Sequence, residues 1–184
     1  ILFAAYIYLK KKYPQIRIVL KDQSNLYGTT ANEVINQYCY QSGIDVTSEE
    51  MSEVVASVIC ITENLNVGQL NALYAAADCY VSPYRAEGFN LPPLEAAAAG
   101  TPIIVTKGGS TDDYVHESFA LEVESNTKSL NNGIYLEPNL ESLIEQLEKL
   151  INSKAASINM DESRKYLQSY WSWECAVSKL ESHF

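Results

Sequence analysis

Apolar positions along the chain fall into two patterns, short unbroken runs and runs at helical spacing, and the two alternate. Residues 16–20 (IRIVL), 58–61 (VICI), 79–81 (CYV) and 102–106 (PIIVT) are brief, apolar and rich in β-branched residues, which predicts buried strands. Residues 119–123 and 134–136 are weaker strand candidates. Between these runs the period changes. Residues 1–13 predict a helix that Pro14 stops, and Thr29 or Thr30 can cap a helix that Gly43 ends. Asn66 followed by Gln69 has the spacing of a capping box, and Leu70, Leu73, Tyr74 and Ala77 then recur at helical intervals. Residues 91–99 predict a further helix. Leu140, Leu143, Ile144, Leu147, Leu150 and Ile151 make an amphipathic stripe. Residues 161–183 predict a last helical region carrying Trp171 and Trp173. The polar stretch 124–133 (ESNTKSLNNG) reads as a surface loop.

Helices alternating with short continuous apolar strands predict an α/β fold, a Rossmann-like parallel sheet with helices on both faces. The length, 184 residues, predicts one domain, with 155–184 as a C-terminal helical extension. Ligands on such sheets bind beyond the carboxyl ends of the strands. That rule singles out the loops 21–28, 62–66, 82–91 and 106–113.

Composition narrows the function. Hydrophobic residues at 47% and charged residues at 20% are those of a folded globular chain. The formal net charge of −10 repels a nucleic-acid backbone or an anionic membrane, so an anionic ligand must be held by local features. No apolar run is long enough for a transmembrane helix. The opening apolar run is followed, not preceded, by Lys10, Lys11 and Lys12, unlike a signal peptide. The first residue, Ile1, suggests a piece cut from a longer chain. The four cysteines are widely spaced without a CxxC pair, which points to a reducing compartment and no zinc site. Cys60 and Cys79 read as small core residues.

The loop 82–91 opens the stretch SPYRAEGFNLPPLEAAAAG. Pro92 and Pro93 fit a first helical turn, where missing N–H groups cost nothing. Gly88, Phe89 and Asn90 then lie in a loop that delivers chain to a helix N-terminus, which offers unpaired amides and the positive end of the dipole. Glu95 is expected in the first turn, where its carboxylate can accept hydrogen bonds from ligand hydroxyls, or simply partner the dipole. The loop 106–113 (TKGGSTDD) places Gly108 and Gly109 after a strand. It reads as a second anion cradle or as a plain turn, with Ser110 and Thr111 as possible caps. Asp112 and Asp113 are adjacent and point apart, so they are not read as a metal site. His116 and Tyr84 sit near these loops and read chiefly as surface and core residues.

The segment EGFNLPPLEAAAAGTPIIVTKGG, with LNVGQLNALYAAADCYVSP before it, resembles the signature of retaining group-1 glycosyltransferases of the GT-B fold. At the centre of that signature stand a Glu, seven residues and a second Glu, here Glu87 and Glu95. The resemblance implies that this chain is the C-terminal, donor-binding half of a two-domain enzyme, with the first strand of the domain and the whole acceptor domain missing. It assigns Glu95 to the ribose hydroxyls of a nucleoside-diphosphate sugar and Glu87, the catalytic candidate, to hydroxyls of the donor sugar. It assigns the amides of Gly88, Phe89, Asn90 and Leu91 to sugar and diphosphate, and the strand end at Ile61 and Thr62 to the base. No cofactor or metal is implied; the nucleotide sugar is a co-substrate. Relatives carry an Arg and a Lys that contact the diphosphate, in a segment upstream of this chain. Lys21, Arg85 and Lys107 are nearby cations that cannot be matched to that pair; Arg85 reads as a surface residue and Lys107 as a candidate phosphate contact. Asn90 stands where many relatives have Gly, and Asn tolerates positive φ. The expected outcome is a fragment inactive alone, from a cytoplasmic enzyme that rests on a membrane, if at all, through the absent half. The alternative reading is a non-catalytic α/β interaction or ligand-binding domain derived from a degenerate transferase, with Trp171, Trp173 and Phe184 as a partner surface.

Overall fold

The computed structural model describes residues 1–21, 28, 33, 37, 47–130, 133–153, 155 and 157–182. The chain divides into two compact units, Ile1–Asn64 and Leu65–Phe184. The helix expected from Thr29 or Thr30 lies outside the described residues.

In the first unit, α1 (Leu2–Lys12) ends before Pro14 and is followed by β1 (Ile18–Lys21), α2 (Ser48–Ala56) and β2 (Val58–Ile61). The two strands pair in parallel, with Ile18 opposite Val58 and Lys21 opposite Ile61. Ile18, Leu20 and Val58 pack against Tyr6 and Ile7 of α1 and Val54 of α2. Among the described residues, none packs on the other face as Tyr6, Ile7 and Val54 do on this one. Val19 and Ile59, opposite one another in the ladder, are 44% and 45% exposed. These strands are therefore covered on one side, not buried as their apolar sequence predicts, and Cys60 is half-buried. The Ser57 hydroxyl donates to the Val54 carbonyl, so the Tyr6 hydroxyl is the donor to Ser57 Oγ at 2.6 Å, tying α1 to the turn before β2. The pattern of apolar residues did not announce α2, yet Thr47 and Glu50 form a capping box at its start.

The second unit begins with α3 (Val67–Ala75), whose Asn66–Gln69 capping box is the one the sequence predicts. Then come β3 (Tyr80–Ser82), α4 (Leu91–Ala98), β4 (Ile103–Thr106), a 3₁₀ turn (Ser110–Asp113), β5 (Ala120–Val123), β6 (Ser125–Leu130), β7 (Gly133–Pro138), α5 (Leu140–Ile151), α6 (Met160–Tyr170) and α7 (Trp173–Glu181). β4 lies between β3 and β5, parallel to both. All four of its residues are buried. Ile103 and Val105 pack with Ala96 and Ala97 of α4, Tyr114, Phe119 and Leu167 of α6. Ile104, pointing the opposite way, is equally buried, and α5, with Leu143 fully covered, contacts β4 and β5. This three-stranded layer is the parallel sheet that the alternation of elements predicts. The small side chains of Ala96 and Ala97 let α4 lie close on it.

Two expectations are corrected. Residues 124–133 are not simply a loop: β6 pairs antiparallel with β7, Ser125 opposite Pro138 and Leu130 opposite Gly133. Five of the six β6 residues are exposed, so the backbone ladder and not apolar burial makes it a strand. The last helical region is two helices, broken at Trp171–Ser172, where the Ser172 side chain caps α7 through the Cys175 amide. The break separates the tryptophans. Trp171 packs against Phe89 and Tyr114, at 5.9 and 6.0 Å between centroids, whereas Trp173 is 84% exposed. Phe184 lies outside the described residues. Among the described residues no helix is long and apolar enough to cross a membrane.

Candidate active site

The loop joining β3 to α4 is fixed at both ends. On its upstream side, the Thr106 hydroxyl donates to the Tyr84 carbonyl at 2.8 Å. The Thr111 hydroxyl donates to the Thr106 carbonyl and the Thr111 amide donates to the Tyr84 oxygen, so the Tyr84 hydroxyl proton goes to Thr111 Oγ1 at 2.9 Å. On its downstream side, Asn90 adopts the left-handed conformation, φ 61° and ψ 64°, that its residue type tolerates. Its side-chain amide donates to Ser82 Oγ at 3.0 Å, and its carbonyl accepts from the buried Tyr114 hydroxyl at 2.7 Å. Burial pushes the Tyr114 phenol above its ordinary range, which keeps the donating proton in place. The Phe89 ring packs on Tyr114 at 5.3 Å between centroids.

Between these anchors the loop is open. Ala86, Glu87 and Gly88 are exposed, and Glu87 has no hydrogen-bond or ion-pair partner among the described residues. Pro92 and Pro93 occupy the first turn of α4 and remove two of the donors that a helix start normally leaves unpaired. The amides of Gly88, Phe89, Asn90 and Leu91 meet no acceptor among the described residues. They are donors this loop and helix start leave unpaired, the kind of group an anion can meet.

Glu95 lies one turn later than expected, since the first turn of α4 contains no acidic residue. The helix begins at Leu91, which puts the fifth position in its second turn. Its carboxylate is exposed and accepts one hydrogen bond, from the Tyr74 hydroxyl of α3 at 3.1 Å, leaving Oε1 open. Burial, and then the carboxylate, push the Tyr74 phenol up, so it stays a donor. Nothing in the sequence marked Tyr74 as more than a core position; its place on α3 beside α4 is a tertiary fact.

The second candidate loop is closed. Gly108, at φ 90°, donates its amide to both oxygens of Asp112 at 3.1 Å, so an acidic side chain of the chain fills the position an anion would take. Ser110 and Thr111 do not cap the 3₁₀ turn; Gly109 holds the cap position and there is no side-chain cap. Lys107 pairs with Glu124 at 3.0 Å, and that hydrogen bond is the main cause holding its ammonium above the ordinary lysine range. Gly109 is required by space: a Cβ there would stand 2.5 Å from the Tyr84 hydroxyl and 2.9 Å from Leu136 Cδ1. In the first unit, Ile61 ends β2 half-buried and Thr62 is exposed. His116 stacks on Tyr166 at 4.4 Å between centroids and bonds Ser118 through Nδ1, a packing role.

The family model for glycosyl transferases group 1 matches residues 50–170. The chain is 39% identical over 69 residues to the lipopolysaccharide core biosynthesis mannosyltransferase LpsB of Rhizobium meliloti, covering 36% of this chain and 20% of the relative. It is 24% identical over 135 residues to a GDP-mannose-dependent α-(1-6)-phosphatidylinositol monomannoside mannosyltransferase of Mycobacterium tuberculosis, covering 68% of this chain and 32% of that one. The chain thus spans a third or less of these relatives. Among solved structures, the C-terminal domain of a glycosyl transferase group 1 family protein (LpcC) from Francisella tularensis superposes with a TM-score of 0.63 at 21% identity, over 94% of this chain and 78% of that one. A glycosyltransferase from Rickettsia africae gives 0.68 at 13% identity, over 98% of this chain and 42% of that one. With the group-1 signature on a loop held open at the start of α4, and the family model matched across both of its glutamates, the chain belongs to the group 1 glycosyl transferases.

Proposed function

We propose that this chain binds the donor for a glycosyltransferase that moves a sugar from a nucleoside diphosphate to an acceptor hydroxyl with retention of configuration. The observation that carries the reading is the pairing of two exposed, open carboxylates with free loop amides at the start of α4. A half-satisfied carboxylate such as Glu95 suits a ribose diol, which can donate to Oε1 without displacing Tyr74. Glu87 is the carboxylate for the sugar hydroxyls. The amides of Gly88, Phe89, Asn90 and Leu91, aided by the α4 dipole, stabilise the charge that grows on the departing diphosphate. Relatives named for mannosyl transfer make GDP-mannose the first donor to try. Because the chain spans a third or less of the relatives named above, by itself it is proposed to bind donor without turning it over.

Ligand-detected NMR against GDP, UDP, ADP and their sugar conjugates tests this. One base is expected to bind selectively, and Glu95→Ala is expected to weaken it at least about tenfold with thermal stability unchanged, as for loss of a charge-assisted hydrogen bond. Binding that is indifferent to Glu95→Ala, or sugar transfer to an acceptor by this chain alone, contradicts the reading.

A further inference from the structure

The β6–β7 hairpin buries little, yet it touches both candidate loops. Its Leu136 amide donates to the Arg85 carbonyl at 2.8 Å. Its Glu137 carboxylate pairs with the Arg85 guanidinium at 2.8 Å, and its Tyr135 ring centroid lies 5.9 Å from that guanidinium carbon. On the other loop, Ser125 Oγ donates to the Lys107 carbonyl at 2.7 Å, and the Leu136 side chain lies against Gly109. Arg85 stands two residues before Glu87. The hairpin thus grips the backbone and the side chain of the last residue before the open tip at residues 86–88.

We infer that Arg85, clasped by Tyr135, Leu136 and Glu137, is a positioning residue that holds Glu87 toward the donor sugar, and that the hairpin is part of the donor site. This rests on the reading proposed above. Asn90 and Phe89 fix the downstream end of the tip whatever happens upstream. Without the side-chain part of the clasp, the upstream end of the tip is held only by the Tyr84 anchors one residue earlier and by the Leu136–Arg85 backbone bond, and Glu87 samples a wider arc. A carboxylate that reads sugar hydroxyls loses discrimination when its geometry loosens, whereas contacts to ribose at Glu95 on α4 are untouched. The clasp is exposed, with Arg85 and Glu137 side chains at 66% and 35% accessibility, so its effect is modest in size.

The test compares affinities of this chain for GDP-mannose and GDP, and for UDP-glucose and UDP, in the wild type, Arg85→Met, Glu137→Gln and Arg85→Lys. The wild type is expected to bind one sugar conjugate more tightly than its bare diphosphate. Arg85→Met and Glu137→Gln are expected to shrink that preference roughly threefold to fivefold, the size of an exposed ion pair, while affinity for the bare diphosphate, met mainly by the amides of Phe89, Asn90 and Leu91 beyond the loosened tip, falls less. Arg85→Lys is expected to restore most of it. Amide hydrogen exchange at residues 86–88 should speed up in the two weakened variants. A preference equal in all four proteins overturns the positioning role while leaving the donor reading intact. A wild type that prefers no sugar conjugate over its diphosphate removes the sugar contact and this role with it. A wild type that binds no nucleotide at all overturns the donor reading itself.

Discussion

Two loops follow neighbouring parallel strands, and the sequence presents both as anion sites. The structure separates them by what their polar groups already touch. In the loop before α4, the anchoring bonds are made by residues toward its ends, and the amides of residues 88–91 and the Glu87 carboxylate meet no partner among the described residues. In the loop after β4, the glycine amide is taken by Asp112 and the lysine by Glu124. Beside the second loop, burial and then Asp112 raise the Glu122 carboxyl above its ordinary range. A glycine-rich turn after a strand is thus not by itself a cradle; the acid four residues later decides.

The sharpest way to break this comparison is to disturb the second loop's packing. Gly109→Ala drives a Cβ into Tyr84 and Leu136 and is expected to cost about 2 kcal/mol, the range of overpacking, in urea unfolding of the chain. Because Tyr84 also anchors the first loop, nucleotide affinity should fall with it. A substitution with no effect on either would mean the two loops are independent. Next in size is Asn90. Asn90→Ala puts a Cβ residue with no local hydrogen bond at φ 61° and is expected to cost about 1 kcal/mol, while Asn90→Gly should come within a few tenths of the wild type. Equal losses in both would show that the Ser82 hydrogen bond, and not the backbone, holds the position. The smallest effect concerns Glu122. Its folded-state pKa lies above the unfolded value near 4.5, so the folded protein holds its proton more tightly. The resulting stabilisation is present below that value and is lost as pH rises through the folded pKa. Glu122→Gln should flatten this part of the pH–stability curve, measured by thermal melts, and an unchanged curve would remove Glu122 from the account.

Local rules read much of this molecule correctly. The Asn66–Gln69 box, the proline pair opening α4, the left-handed Asn90 and the parallel strands are all governed by a few neighbouring residues. Failures occur where the deciding partner is distant. β6 is polar and exposed, and only its pairing with residues 133–138 makes it a strand. Val19 and Ile59 look buried in sequence because an apolar run carries no record of which face will be covered. α2 is a different case, since Thr47 and Glu50 carry a readable cap that a search for apolar periodicity passes over. In the candidate site, the two glutamates and the loop amides were legible. The Tyr74 contact to Glu95, the Asp112 plug and the Arg85 clasp were not, because each joins residues whose proximity only the fold creates.

The hydrogen bond from Tyr114 to the Asn90 carbonyl has a thermodynamic consequence. It fastens the helix start to a fully covered side chain of the main core, so an anion bound there as proposed would find its donors already arranged. Little conformational entropy is then spent on ordering the loop, and association there should show a small heat-capacity change in calorimetry, set by the surface the ligand itself covers.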